Sequence, residues 1–215
     1  MQLTAAALWL NTVFAGFDQG ITVGVHKLYD LAGGILTPFM EFVSLLGKGG
    51  IFLILLSLCL LFIKRTRRFG TAMALGLAIG AIFVNLFLKV VVARPRPYAD
   101  EASVFYSLWL IMGQHVESDM SFPSGHTNAA FATMVPLFIL GNKKVSWLAL
   151  VFGVLMGISR IYLVVHFPSD VLGGLITGTI AGMLGTLIAI NLPKKWYAWP
   201  SDKKGAHERC SDLAS

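Results

Sequence analysis

The stretch Val145–Asn191, VSWLALVFGVLMGISRIYLVVHFPSDVLGGLITGTIAGMLGTLIAIN, decides the fold. It holds two apolar runs, Val145–Val165 and Phe167–Asn191, each near the roughly 20 residues that a helix needs to cross a bilayer. Its charged residues are Arg160 and Asp170, which flank the turn that carries His166. Ionisable groups set this deep in apolar sequence are costly and mark function by default. Upstream lie three more such blocks: Ile51–Ile63 extended back into Pro38–Leu46, Gly70–Val92 and Gly125–Leu140. The expected fold class is therefore an all-α integral membrane bundle of five to six transmembrane helices.

Composition agrees. Of 215 residues, 56% are hydrophobic and 13% charged, about half the charged share of a soluble domain, and the mean hydropathy is +0.73. The net charge of +6 is not a nucleic-acid footprint, because the cations sit between and after the apolar blocks. Lys64, Arg65, Arg67 and Arg68 form one cluster, Lys143 and Lys144 a second, and Lys194, Lys195, Lys203 and Lys204 a third. The positive-inside rule puts such clusters on the cytoplasmic face, so residues 93–124 and 164–168 are expected outside. The acids Asp100, Glu101, Glu117 and Asp119 gather in that outer loop; for Asp100 and Glu101 a solvated acidic loop is expected over a cation site. Cys59 and Cys210 are far apart in different settings and are expected to stay free thiols. The N-terminus lacks a basic n-region and a clear cleavage site, so no removable signal peptide is expected.

Residues 1–32 carry an apolar stripe of Leu3, Ala7, Leu10, Phe14, Phe17, Ile21 and Leu28. Asn11, Asp18, Thr22 and Asp30 fall on another face, with His26 and Lys27 on the polar side. A two-faced helix of this kind suits the membrane surface better than a crossing, and five spans would leave the N-terminus outside. The loop Tyr98–Phe122 holds an apolar patch, Val104–Met112, whose Tyr106 and Trp109 suit interfacial anchoring, with a lid over a lipid as the second reading. Gly174, Gly178 and Gly182 form a ridge that permits close helix packing within the bundle, a homodimer contact being the weaker use. No internal repeat or low-complexity tract is present. The expected division is an N-terminal amphipathic or first membrane helix (1–32), a membrane-embedded domain (33–192) and a polar cytoplasmic tail (193–215).

Three segments bring reactive side chains to the expected outer ends of the spans. They are Lys89 with Arg96-Pro97, then Pro123-Ser124-Gly125-His126, then Ser159-Arg160 with His166 and Asp170. Lys89, Arg96 and Arg160 offer cations to an anion, the two arginines in bidentate geometry. Ser124 and Gly125 open a helix whose free N–H groups and dipole bind anions. His166 and Asp170 are four apart and share a helix face, so Asp170 can fix the ring tautomer and leave the other nitrogen free to attack phosphorus. His126 is placed to protonate a leaving oxygen and then to activate water. Two histidines and a carboxylate also form a metal-ligand set, but three nearby cations repel a divalent ion, so neither metal nor cofactor is expected. Arg94, Lys48 and His115 are better read as helix-end anchors at the headgroups.

Lys-x6-Arg-Pro, Pro-Ser-Gly-His and Ser-Arg-x5-His-x3-Asp, in that order, resemble the type 2 phosphatidic acid phosphatase family. That family belongs to the superfamily of bacterial acid phosphatases and vanadium haloperoxidases. The resemblance runs from about residue 50 to 190. It implies metal-independent hydrolysis through a phosphohistidine on His166, with Asp170 as its orienter and His126 as acid/base. It also implies phosphate held by Lys89, Arg96, Ser124, Gly125 and Arg160. Family members often have six spans, from which the polar-striped N-terminus departs. The expectation is an outward-facing lipid phosphatase or diphosphatase of the cell membrane. Undecaprenyl diphosphate, phosphatidylglycerol phosphate and phosphatidate are the candidate substrates, with a lean towards the first. A lipid phosphotransferase and a non-catalytic scaffold are the competing classes.

Overall fold

The computed structural model describes residues 3–193 and Trp196, and among these all regular structure is helical. Of the expected tail, 193–215, only Pro193 and Trp196 are described; Cys210 and the cluster from Lys194 to Lys204 lie outside the described residues. Helix α1 spans Ala5–Val13 and α2 spans Ala15–Gly47; α3 is Ile51–Phe62 and α4 is Arg67–Ala81. A π-wound segment, Ile82–Leu88, carries α4 into the short α5, Lys89–Val92. Then follow α6 (Val104–Ile111), α7 (Gly125–Leu140), α8 (Lys143–Tyr162) and α9 (Pro168–Asn191). The stretches Ala15–Phe62, Arg67–Ala99, Lys143–Tyr162 and Pro168–Asn191 are long and apolar enough to cross a membrane. At 16 residues α7 is shorter, yet it packs against α4, α8 and α9 at the centre of the bundle.

The first expected span is interrupted. Pro38–Leu46 and Ile51–Ile63 do not form one helix, because Gly49 and Gly50 adopt φ of 60° and 67°, a conformation that glycine alone reaches without cost. The two helices nevertheless run on in one direction, Ser44 meeting Arg160, Gly47 lying against Met156 and Leu53 packing with Ala129 and Met134, within the apolar stretch Ala15–Phe62. The break leaves Gly49 and Gly50 at the mouth of a cavity described below. Helix α2 also runs through the expected boundary at residue 32, where Ala32 (φ −150°, ψ 23°) bends it. Val25, Tyr29, Leu36 and Met40 of α2 pack on Met112 and on Tyr162–Val165, at the end of the bundle that holds the 93–124 loop. At the opposite end the Arg67 guanidinium donates to the Leu61 carbonyl at 3.1 Å and Thr66 Oγ1 to Leu60 O at 3.0 Å. These bonds satisfy the free carbonyls where α3 stops.

The glycine ridge of α9 lies inside the molecule. A Cβ at Gly174 would stand 2.5 Å from the Ser124 carbonyl oxygen, and one at Gly178 2.4 Å from that of Asn128. The ridge thus lets the α7 and α9 backbones touch, and it is not a free homodimer face. This contact sets the site, since α7 and α9 both begin there.

Candidate active site

Each reactive segment sits where a helix starts or stops for a local reason. The extra residue per turn in Ile82–Leu88 re-phases Lys89 relative to the rest of α4, a feature common at functional sites. Ala93 at φ 47° and the prolines at 95 and 97 then end the helix. On α7, Ser124 is the N-cap: its Oγ accepts from Thr127 N at 3.4 Å and from Thr127 Oγ1 at 3.0 Å. On α9, Pro168 occupies the first turn and Asp170 Oδ2 accepts from Phe167 N at 3.0 Å. Ser124 N donates to the Asp170 carbonyl at 3.0 Å, which ties the starts of α7 and α9 together.

These segments meet at a cavity of about 330 Å³. Lys89, Arg96, Gly125, His126 and His166 line it, as do the turn glycines 47, 49 and 50. The other three expected site residues, Ser124, Arg160 and Asp170, are buried behind the wall. All eight are therefore gathered in one place, in two layers. At its other side the cavity runs against Ile54, Leu77, Ala81 and Ala129, an apolar stretch between α3, α4 and α7.

His166 is 2% exposed. Its Nε2 lies 2.9 Å from Arg96 Nη1, which also donates to the Val165 carbonyl at 2.7 Å. A guanidinium only donates, so Nε2 holds the lone pair and Nδ1 carries the proton. Burial, reinforced by the charges of Arg96, Arg160 and Lys89, holds the imidazole neutral to well below its ordinary pKa, with Asp119 opposing in part. The direct Asp170–His166 hydrogen bond expected from the spacing is not made. Asp170 Oδ2 is 3.6 Å from Nδ1, while Ser121 Oγ donates to that oxygen at 2.5 Å and lies 3.5 Å from Nδ1. Ser121 thus stands beside both, an unmarked serine in the loop that sequence spacing alone did not flag. His126 sits with its ring against Gly47, where an added Cβ would come within 2.6 Å of the imidazole.

Glu117 and Asp119 are more than outer-loop charge. Asp119 bridges Lys89 and Arg96 with its two carboxylate oxygens, and its carbonyl accepts from Arg96 Nε at 2.9 Å. Glu117 pairs with Arg160, whose other terminal nitrogen donates to Ser44 Oγ. All three expected phosphate cations thus hold a carboxylate, an anion of the same kind as a phosphate oxygen. Burial alone would raise the Asp119 carboxyl, but hydrogen bonds and charges from Lys89 and Arg96 outweigh it and hold the group below the ordinary carboxylate range.

Arg94 is the clearest correction to the expected headgroup anchors. It is 1% exposed and forms ion pairs with Asp18 at 2.9 Å and Asp170 at 2.6 Å. Asp18, expected on the polar side of a surface helix, is likewise buried. The signal was present as two ionisable residues in apolar surroundings, but their pairing across 76 positions has no local trace.

The family model of the PAP2 superfamily matches residues 67–194. An undecaprenyl-diphosphatase of Sulfolobus acidocaldarius is 31% identical over 190 residues, 88% of each chain. The undecaprenyl-diphosphatase BcrC of Bacillus subtilis is 34% identical over 106 residues, 49% of this chain and about half (51%) of its own length. Among solved structures, a transmembrane PAP2 type phosphatidylglycerolphosphate phosphatase from Bacillus subtilis superposes with a TM-score of 0.66. It is 28% identical, and the match covers 87% of this chain and 92% of that one. The apolar helices and these membrane relatives agree on a multi-pass membrane protein. The family match opens at the head of α4 and closes beyond α9, and so contains every wall of the cavity save that of α2 and α3; the chain belongs to the PAP2 superfamily.

Proposed function

We propose that the protein is a lipid phosphate phosphatase or diphosphatase that works through a phosphohistidine on His166. The observation that carries this reading is the Arg96 Nη1 contact at 2.9 Å, which leaves the lone pair on the ring nitrogen nearest a cluster of cations. Nε2 attacks phosphorus as the bond to the lipid oxygen, or to the bridging oxygen of a diphosphate, breaks. His126 gives that oxygen its proton. Water, losing a proton to His126, then cleaves the P–N bond, releases inorganic phosphate and restores His166. Lys89, Arg96, Arg160 and the α7 N–H groups at Gly125 balance charge on the equatorial oxygens, while Ser124 caps the helix that presents those groups. Asp170, through Ser121, holds the Nδ1 proton in place.

Relatives named for undecaprenyl diphosphate and for phosphatidylglycerol phosphate support a substrate with a long apolar tail, and the apolar side of the cavity offers it a place. Undecaprenyl diphosphate leads phosphatidylglycerol phosphate and phosphatidate as substrate. The basic loops support a site facing outward from the cell membrane, with residues 1–32 along the outer ends of the bundle. Phosphate release in excess chelator should follow one of the three lipids, be blocked by vanadate and vanish in His166→Ala. Full activity in that variant would sink the reading, and a glycerolipid alcohol phosphorylated instead of free phosphate would favour a phosphotransferase. Labelling of a cysteine placed at position 100 from the cytoplasmic side alone would reverse the orientation.

A further inference from the structure

Behind His166, on the side away from the cavity, lies a buried charge cluster of which the proposed steps use only Asp170. Arg94 Nη1 donates to Asp170 Oδ1 at 2.6 Å and to Ser169 Oγ at 2.8 Å; Nη2 donates to Asp18 Oδ2 at 2.9 Å, and Nε to Asn11 Oδ1 at 2.8 Å. The guanidinium also lies over the Phe167 ring, 3.9 Å from its centroid. Asp18 in turn accepts from Ser169 N and Ser169 Oγ, both at 2.8 Å. Every fork of Arg94 and both oxygens of each carboxylate are therefore engaged. Asp170 has one oxygen held by Arg94 and the other turned towards Ser121 and His166.

The charges make this more than packing. Within this cluster one guanidinium answers two buried carboxylates, an excess negative charge that is matched across His166 by Lys89 and Arg96, which share the one carboxylate of Asp119. Such an excess is costly unless positive charge stands near it. His166 lies between the two, and its ring gains positive character as Nε2 bonds to phosphorus. If Arg94 answered to Asp170 alone, it would neutralise the carboxylate; Asp18 draws part of that charge away.

We propose that Arg94 and Asp18 are positioning residues for the reaction, an N-terminal clamp that aims Asp170 at His166 and keeps its charge available to the ring. The clamp rests on the phosphohistidine reading above. It makes α1 and the start of α2, which lie outside the family match, part of the working site. On the cavity side His166 also faces Arg96, Arg160, Lys89, Asp119 and His126, which the variants below leave in place.

The test is steady-state kinetics against pH for Asp18→Asn, Arg94→Gln and the double variant, with a lipid phosphate in detergent. Asp18→Asn removes a negative charge, so the acid limb of kcat/KM should move to lower pH by about half a unit. Its kcat should fall on the order of tenfold to a hundredfold, as misaim of a reacting group does, with KM nearly unchanged. Arg94→Gln should move the limb the other way. The double variant restores one excess negative charge, so its limb should return to the wild-type position, and it stands in should Arg94→Gln fail to fold. A purely structural cluster would lower stability without opposed limb shifts. An unshifted limb in Asp18→Asn, or a limb in the double variant that stays at the Asp18→Asn position, would overturn the clamp while His166→Ala stayed inactive. An active His166→Ala would instead overturn the underlying reading.

Discussion

Replacing Asp119 with asparagine should tighten binding of phosphate-like anions. Asp119 holds Lys89 and Arg96 at once, and an incoming phosphate needs both. A hydrogen bond to a charged group is worth about 1.5–3 kcal/mol when buried. Asp119 is 49% exposed on its side chain, so solvent screening reduces each bond to about 1 kcal/mol, or about 2 kcal/mol for the pair. At about 1.4 kcal/mol per tenfold, full release of both cations corresponds to roughly 30-fold. Arg96 stays in place because its Nε bond goes to the Asp119 backbone carbonyl, which the substitution spares. The assay is vanadate inhibition of phosphate release from a lipid phosphate, with Asp100→Asn as the control in the same loop. The inhibition constant should fall by about 10- to 30-fold in Asp119→Asn and hold in the control. An unchanged or weaker inhibition in Asp119→Asn would refute the exchange of carboxylate for phosphate.

Ser121→Ala removes the hydroxyl set between Asp170 and His166; kcat should fall about tenfold with little change in KM, read from saturation curves. His166 has its pKa held down, chiefly by burial, so protonation should not inactivate the free enzyme near pH 6.5. kcat/KM should stay level as pH falls through that value and drop only further into acid. The same sign predicts stability lost on acidification below the unfolded histidine pKa, because the unfolded chain then binds a proton that the fold refuses. Gly178→Ala would force a methyl to 2.4 Å from the Asn128 carbonyl oxygen. The α7–α9 contact should then open at a cost of about 1–3 kcal/mol, seen as a lower melting temperature in detergent.

The sequence made the helices and the cavity legible to different degrees. Apolar runs such as Val145–Val165 announce themselves because lipid demands long apolar helices whatever the tertiary fold. The break at Gly49–Gly50 was hidden because the apolar pattern continues across it, and only the backbone angles show that the helix is interrupted there. The eight expected site residues were readable because each lies in a short local motif at a helix end. Arg94, Asp18, Ser121, Glu117 and Asp119 were not assigned there. Their roles come from pairings across 23 to 151 positions, and a lone acid in a loop looks the same whether it faces water or a lysine. The His166–Asp170 spacing put both groups on one face, yet an i,i+4 relation does not fix the last ångström, and Ser121 took that place.

The proposed reaction requires a phosphorus bond to His166 Nε2. It is tested most directly by mixing the protein with a lipid phosphate labelled on phosphorus, quenching in alkaline denaturant within the first turnover and mapping the label by mass spectrometry. His126→Ala should be run in parallel over a longer time course, since it loses both the acid of the first step and the base of the second. Label should appear on His166 in the wild type, form and decay more slowly on His166 in His126→Ala, and be absent in His166→Ala. Turnover with no protein-bound phosphate, or with the label on any other residue, would contradict it.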